Sequence, residues 1–202
     1  MRKKSIIVCL FLALAIQGQC QEFIGSRTDS GWAETPMLRK SFTVTADDYD
    51  LHGHDSLIFC VDVVSLGYHE VYVNGTRVGD YVMQPAVSQL DKRALQVTYD
   101  ITSLVHVGEN EIMIWIGQGW GRIYGTPAAV KASVYRSLSS WCQELVSVYT
   151  ETDSTWEVSP SGYSYTGNWQ PMQFGGERKD NCGKYSLSTV NKGETIASIN
   201  PS

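Results

Sequence analysis

Apolar and polar positions alternate along much of the chain with the two-residue period of half-buried strands. After residue 20, no stretch of helix length sustains an apolar period of about 3.6 residues. The predicted strands begin with Leu38–Val44. Ser56–Ser65 (SLIFCVDVVS) follows, with Leu57, Phe59, Val61 and Val63 on one face. Ile58, Cys60, Asp62 and Val64 form the other face, where Asp62 is the one charged residue, so this strand is expected to be covered on both sides. His69–Val73 and Thr76–Val78 flank Asn74-Gly75. Both of these residues tolerate the positive φ that a tight type I′ hairpin needs. Val71 and Val73 face one way and Tyr72 the other. Ala94–Tyr99, Glu111–Ile116, Ala128–Tyr135, Glu144–Thr150 and Thr155–Val158 complete the series. Val130, Ala132 and Val134 share a face. Asp100 caps a short turn over residues 100–104, and Thr152-Asp153-Ser154 turns the chain so that Thr155–Val158 pairs back. Many short strands separated by turns predict an all-β protein, a jelly-roll β-sandwich.

Composition narrows the class. With 43% hydrophobic and 18% charged residues, the chain can bury a core and is not disordered. Its net charge of −5 leaves no basic patch to neutralise phosphates, so nucleic acid is not an expected partner. The N-terminus is a different kind of segment. Arg2, Lys3 and Lys4 precede the apolar run Ile6–Ile16, the pattern of a secretory signal. That run is too short for a membrane span of about 20 residues. Residues 1–20 are therefore expected to direct export and to be removed. A lipidated Cys20 is the alternative, and Gln17-Gly18-Gln19 before it fits that poorly. Export permits disulfides, yet Cys60, Cys142 and Cys182 define no pairing, and Cys60 is most simply a small buried hydrophobe. Asn74-Gly75-Thr76 also matches a glycosylation sequon, although the turn alone explains it.

From Leu66 the chain reads LGYHEVYVNGTRVGDYVMQP, then VTYDITSLVHVGENEIMIWIGQGWGR. In their order and spacing, Gly67, Tyr68, Glu70, Asn74, Gly75 and Gly79 resemble the N-terminal domain of bacterial α-L-rhamnosidases. So do Tyr99, Asp100, Thr102, Leu104, Gly108–Asn110, Gly117, Gly119 and Trp120. Arg39-Lys40-Ser41-Phe42 is similar to that family's first strand. Residues 152–156 and 174–177 are similar to its closing segments. A looser version of the pattern occurs in jelly-roll domains of β-galactosidase-like enzymes. The resemblance covers residues 38–180. It implies a β-sandwich that precedes a catalytic helical barrel, where the catalytic acids reside. This chain departs from the pattern at Gly121-Arg122-Ile123 and after Asp180, and the catalytic portion is absent. The resemblance therefore implies an accessory domain rather than rhamnosidase activity.

The residues themselves offer little catalytic chemistry. Asp47-Asp48 and Glu109/Glu111 are the nearest carboxylate pairs for glycoside hydrolysis, and both fit a polar link or a turn better. His52, His54, His69 and His106 are scattered, so no metal is expected. No nucleophile elbow, P-loop or dinucleotide fingerprint is present, and no cofactor is expected. Sugar binding is the better-supported chemistry. Gln118, Trp120, Arg122 and Tyr124 place aromatic faces and planar polar groups in one glycine-rich segment, and they are the candidate carbohydrate-binding residues. The competing reading packs Trp120 under the sandwich or against the missing catalytic domain. Trp156 and Trp169 read as structural, and Trp141 as lying near a turn.

The expected plan is a signal peptide (1–20), an N-terminal link (21–37), a jelly-roll accessory domain (38–180) and a polar tail (181–202). The expected function is a non-catalytic accessory domain of an exported α-L-rhamnosidase-like glycoside hydrolase, docking on a catalytic domain and contacting carbohydrate. The alternative is a stand-alone secreted carbohydrate-binding module.

Overall fold

The computed structural model describes residues 22–28, 31–32, 35–49, 57–90, 92–138, 145–161, 163–165, 177–179 and 186–189. The signal segment, Cys20, Cys142, Cys182, His52, His54, Trp141 and Trp169 lie outside the described residues.

The strands are β1 (Ile24–Thr28), β2 (Gly31–Trp32), β3 (Pro36–Val44), β4 (Ile58–Ser65), β5 (Tyr68–Val73), β6 (Thr76–Arg77) and β7 (Gln96–Asp100). They continue with β8 (Gly108–Gly117), β9 (Ala129–Ser137), β10 (Leu145–Glu151), β11 (Glu157–Pro160), β12 (Tyr163–Tyr165), β13 (Glu177–Lys179) and β14 (Ser186–Thr189). One antiparallel sheet runs β14-β1-β9-β4-β7, with β10 added to β9 and β2 to β1. The opposing sheet runs β11-β3-β8-β5-β6, and β12-β13 form a separate pair. Through β3, β4, β5, β7, β8 and β9, with the short β6 extending β5, the chain changes sheet from one strand to the next. This is the path of a jelly-roll sandwich.

Strict alternation builds the core. Ile112, Ile114 and Ile116 of β8 face Phe59, Val61 and Val63 of β4 and Val130, Ala132 and Val134 of β9 in one buried cluster. Losing one of the larger side chains to alanine costs about 2–5 kcal/mol, because a packed interior relaxes only partly around the cavity. β4 lies between β9 and β7 and is covered on both faces, as its sequence predicts. Its outer residue Val64 joins Phe23, Leu66, Leu90, Ala94 and Ala129 in a second cluster.

Four expectations change. The N-terminal link carries β1, whose Ile24 is buried in the core and pairs with Val130. The polar tail carries β14, which pairs with β1 along Ile24–Arg27. Both segments therefore complete the first sheet. Thr155–Val158 does not pair back on the preceding strand: β11 crosses to the other sheet and pairs with β3. Buried Trp156 anchors that crossing by donating its indole N–H to Glu151 O at 2.8 Å. Finally, Cys60 is not a free thiol but is disulfide-bonded. The other four cysteines of the sequence lie outside the described residues.

The Asn74-Gly75 hairpin forms as expected, with φ of 51° and 77°. The Asn74 side chain goes beyond the turn. Its amide nitrogen donates to Leu104 O (2.8 Å) and Asn110 Oδ1 (2.9 Å), and its oxygen accepts from Glu111 N (2.9 Å). Buried Asn110 in turn donates to His106 O and Gly108 O. Asp100 caps its turn by accepting from Thr102 N, while Thr102 Oγ1 accepts from Phe59 N. The motif residues that carry the family resemblance are thus largely the joints between strands.

Candidate binding face

Gln118 precedes a tight 3-10 turn, Gly119–Tyr124, which holds the other three residues expected to contact sugar. The structure commits two of the four internally. Gln118 Nε2 donates to Thr126 O at 2.9 Å, and the Trp120 indole, half-buried, hydrogen-bonds the Tyr68 hydroxyl. Tyr124 is exposed, and the Arg122 side chain lies outside the described residues. The glycines serve close approach, but to the chain itself. A Cβ on Gly121 would collide with Leu66 O, and one on Gly119 (φ 44°) would lie 2.5 Å from the Tyr68 ring. This segment is therefore packed onto the β4–β5 corner.

The nearby open face belongs to the outer side of the second sheet. Burial of His69, Val71 and Val73 on β5 turns Tyr68, Glu70 and Tyr72 outward. Burial of Ile112, Ile114 and Ile116 on β8 turns Met113, Trp115 and Gly117 outward in the same way. Register sets Tyr68 opposite Gly117, Glu70 opposite Trp115 and Tyr72 opposite Met113. Because Gly117 carries no side chain, a hollow of about 230 Å³ opens beside Tyr68. It is lined by Tyr68, Glu70, Trp115 and Gly117, with Met83 at its lip. In the sequence β8 reads as one apolar run. The alternation of Ile112, Ile114 and Ile116 with Glu111, Met113 and Trp115 is the signal that could have separated its two faces.

Glu70 is compensated on this face. Glu70 Oε1 lies 3.1 Å from Arg77 Nη2, and Glu70 Oε2 accepts from the Tyr72 hydroxyl at 2.7 Å. Farther along, Arg39 pairs with Glu157 at 2.8 Å, and Lys40 Nζ donates to Thr155 Oγ1 at 2.6 Å. The expected carboxylate pairs form no catalytic dyad. Burial pushes the Asp48 carboxyl up, but hydrogen bonds from Thr45 N and Oγ1 and the nearby Arg136 outweigh this and hold it below the usual range. Exposed Glu109 is the second residue of β8, and Glu111 lines a shallow groove with Arg39 and Lys40.

Beneath the hollow, His69 resembles a base beside a nucleophile, since its Nδ1 lies 2.8 Å from Ser65 Oγ. Both residues are buried, however, and Ser65 Oγ donates its proton to Gly67 O at 2.9 Å. His69 Nδ1 must then donate to Ser65, and Nε2 accepts from the Tyr99 hydroxyl at 2.9 Å. Burial lowers the His69 pKa to about 4, so the ring is a neutral structural bridge. No group of three metal-ligating side chains occurs among the described residues.

Comparison with known proteins bears on the same scaffold. The profile of the alpha-L-rhamnosidase N-terminal domain matches residues 60–192. An alpha-L-rhamnosidase from Formosa agariphila is 47% identical over 60 residues, 30% of this chain and 6% of that protein. One from Streptomyces avermitilis is 38% identical over 56 residues, 28% of this chain and 5% of its own length. Among solved structures, the α-L-rhamnosidase of Aspergillus terreus superposes with a TM-score of 0.56 at 25% identity, covering 72% of this chain and 17% of the enzyme. These matched relatives are thus far longer than the part this chain spans. By its profile match across well over half its length, the chain belongs to the alpha-L-rhamnosidase N-terminal domain family.

Proposed function

We propose that this chain is a non-catalytic accessory domain of an exported α-L-rhamnosidase-type glycoside hydrolase, docking on a catalytic domain. The observation that carries docking is a run of exposed apolar side chains between β6 and β7. Tyr81, Val82, Met83 and Val87 are 68%, 69%, 61% and 56% exposed. A surface loop with so many uncovered apolar groups marks an interaction site, and the matched relatives supply a natural partner, the remainder of a much longer enzyme. The hollow supports the non-catalytic reading. Glycoside hydrolysis usually needs two carboxylates across the bond, whereas among the described residues Glu70 is the one carboxylate lining the hollow, and it is tied to Arg77. The disulfide at Cys60 supports export, because such bonds persist in oxidising compartments.

The test has two arms. Purified chain is incubated with an aryl α-L-rhamnoside, and no hydrolysis is expected. The chain is then sedimented with an α-L-rhamnosidase shortened by its own N-terminal domain, where a joint boundary is expected. Hydrolysis by the chain alone overturns the non-catalytic assignment, and independent sedimentation overturns docking. The second reading, a stand-alone carbohydrate-binding module, is favoured by the hollow on the outer face.

A further inference from the structure

The hollow at Tyr68, Glu70 and Trp115 has a chemistry of its own. We propose that it is a binding site for a single neutral pyranose unit, distinct from the Gln118–Tyr124 segment. The proposal rests on the reading of this chain as part of a carbohydrate-active enzyme.

Three features define the ligand. The first is size: about 230 Å³ is below the roughly 300–1,000 Å³ of sites for drug-sized molecules, so the hollow itself holds about one ring. The second is surface. The half-exposed rings of Trp115 and Tyr68 line the hollow beside Gly117, and Met83 gives it a pliable lip. Apolar walls with few polar groups suit the C–H face of a pyranose. The third is charge. Tyr68 accepts the Trp120 indole proton, and a phenol that accepts one proton still carries its own O–H to donate to a sugar hydroxyl. Glu70 offers carboxylate lone pairs, while Arg77 compensates its charge. A donor hydroxyl and a compensated acceptor at an aromatic wall match the alternating hydroxyls of a neutral sugar. A free ammonium would have to displace Arg77, and an anion would meet the Glu70 carboxylate.

The roles of these residues are independent of the strand joints. The Tyr68 ring holds Gly119 through its carbon skeleton, so Tyr68→Phe keeps the packing and removes the donor. Trp115→Ala removes the wall from an outward-facing position. The experiment titrates the purified chain with L-rhamnose, D-galactose, D-glucose, D-glucuronate and D-glucosamine by saturation-transfer NMR. Saturable binding of at least one neutral sugar is expected, with the two charged sugars binding more weakly. Tyr68→Phe and Trp115→Ala should each weaken it about 10-fold or more, while Tyr124→Ala leaves it unchanged. The melting temperature of Tyr68→Phe serves as the control for folding. No saturable neutral sugar, tighter binding of a charged one, or binding that survives both substitutions overturns the site. If association with the shortened rhamnosidase persists while sugar binding is absent, the site fails and the accessory-domain reading stands.

Discussion

The Asn74 amide nitrogen lies 2.9 Å from Asn110 Oδ1, joining the tip of the β5–β6 hairpin to the start of β8. The same nitrogen also donates to Leu104 O. Substituting Asn74 removes these bonds, and a lost hydrogen bond costs about 0.5–1.5 kcal/mol. Asn74→Ala should lose more than Asn74→Gly, since alanine also meets strain at a φ of 51°. Urea titration of both variants measures the difference.

A glycan on that nitrogen would require breaking these bonds. The sequon at Asn74 should therefore stay unmodified when the chain is secreted from a glycosylating host. Intact mass before and after glycosidase treatment checks this, and a shift assigned to Asn74 counts against the joint.

Acid should destabilise the fold through His69. Its pKa falls from 6.5 unfolded to about 4 folded because burial penalises the imidazolium. The unfolded chain thus binds more protons between those values, so stability is full above about pH 6.5 and declines as pH falls toward 4. The shift corresponds to about 3 kcal/mol. Asp62 acts in the opposite sense. Burial raises its pKa against hydrogen bonds from Thr98 and Tyr135, so its contribution declines as pH rises through the folded value. Unfolding free energies across pH 4–8 should show the acid slope in the wild type and its flattening in His69→Gln.

The disulfide at Cys60 fixes a central strand of the first sheet. Reduction, or Cys60→Ala, should lower stability by about 2–4 kcal/mol. Thermal melts with and without reductant measure this, and unchanged melting would show that the bond does not constrain the unfolded chain.

Gly121→Ala should be disruptive out of proportion to one methyl group. Its Cβ would meet the Leu66 carbonyl, a backbone atom that cannot swing away. Overpacking of this kind costs about 1–3 kcal/mol. Loss of stability in urea titration would confirm that the glycines fasten the corner.

Most of the sandwich was legible because strand alternation and turn chemistry are local. β4, β5, β8 and β9 announced themselves through the two-residue spacing around Phe59, Val71, Ile114 and Ala132, and Asn74-Gly75 named its own turn. What escaped was non-local. β1 and β14 are short and polar, and they become strands only because a sheet edge is present to pair with them. The destination of β11 depends on where Trp156 is buried. The internal partners of the candidate segment escaped for a similar reason. Trp120 and Gln118 looked available in a glycine-rich segment, but Tyr68 and Thr126, distant or shielded by the turn, claim their donors. Trp115 was hidden in a nearly all-apolar run, where the alternation with Ile112, Ile114 and Ile116 separates the faces but only the register sets it beside Glu70.

Docking through the exposed loop is the central claim, and calorimetric titration of the chain into an α-L-rhamnosidase lacking its own N-terminal domain tests it most directly. Saturable heat is predicted for the wild type, with loss of that heat when Val82→Asp and Val87→Asp are combined. Absence of heat with a folded wild-type chain, or undiminished heat with the double variant, would contradict it.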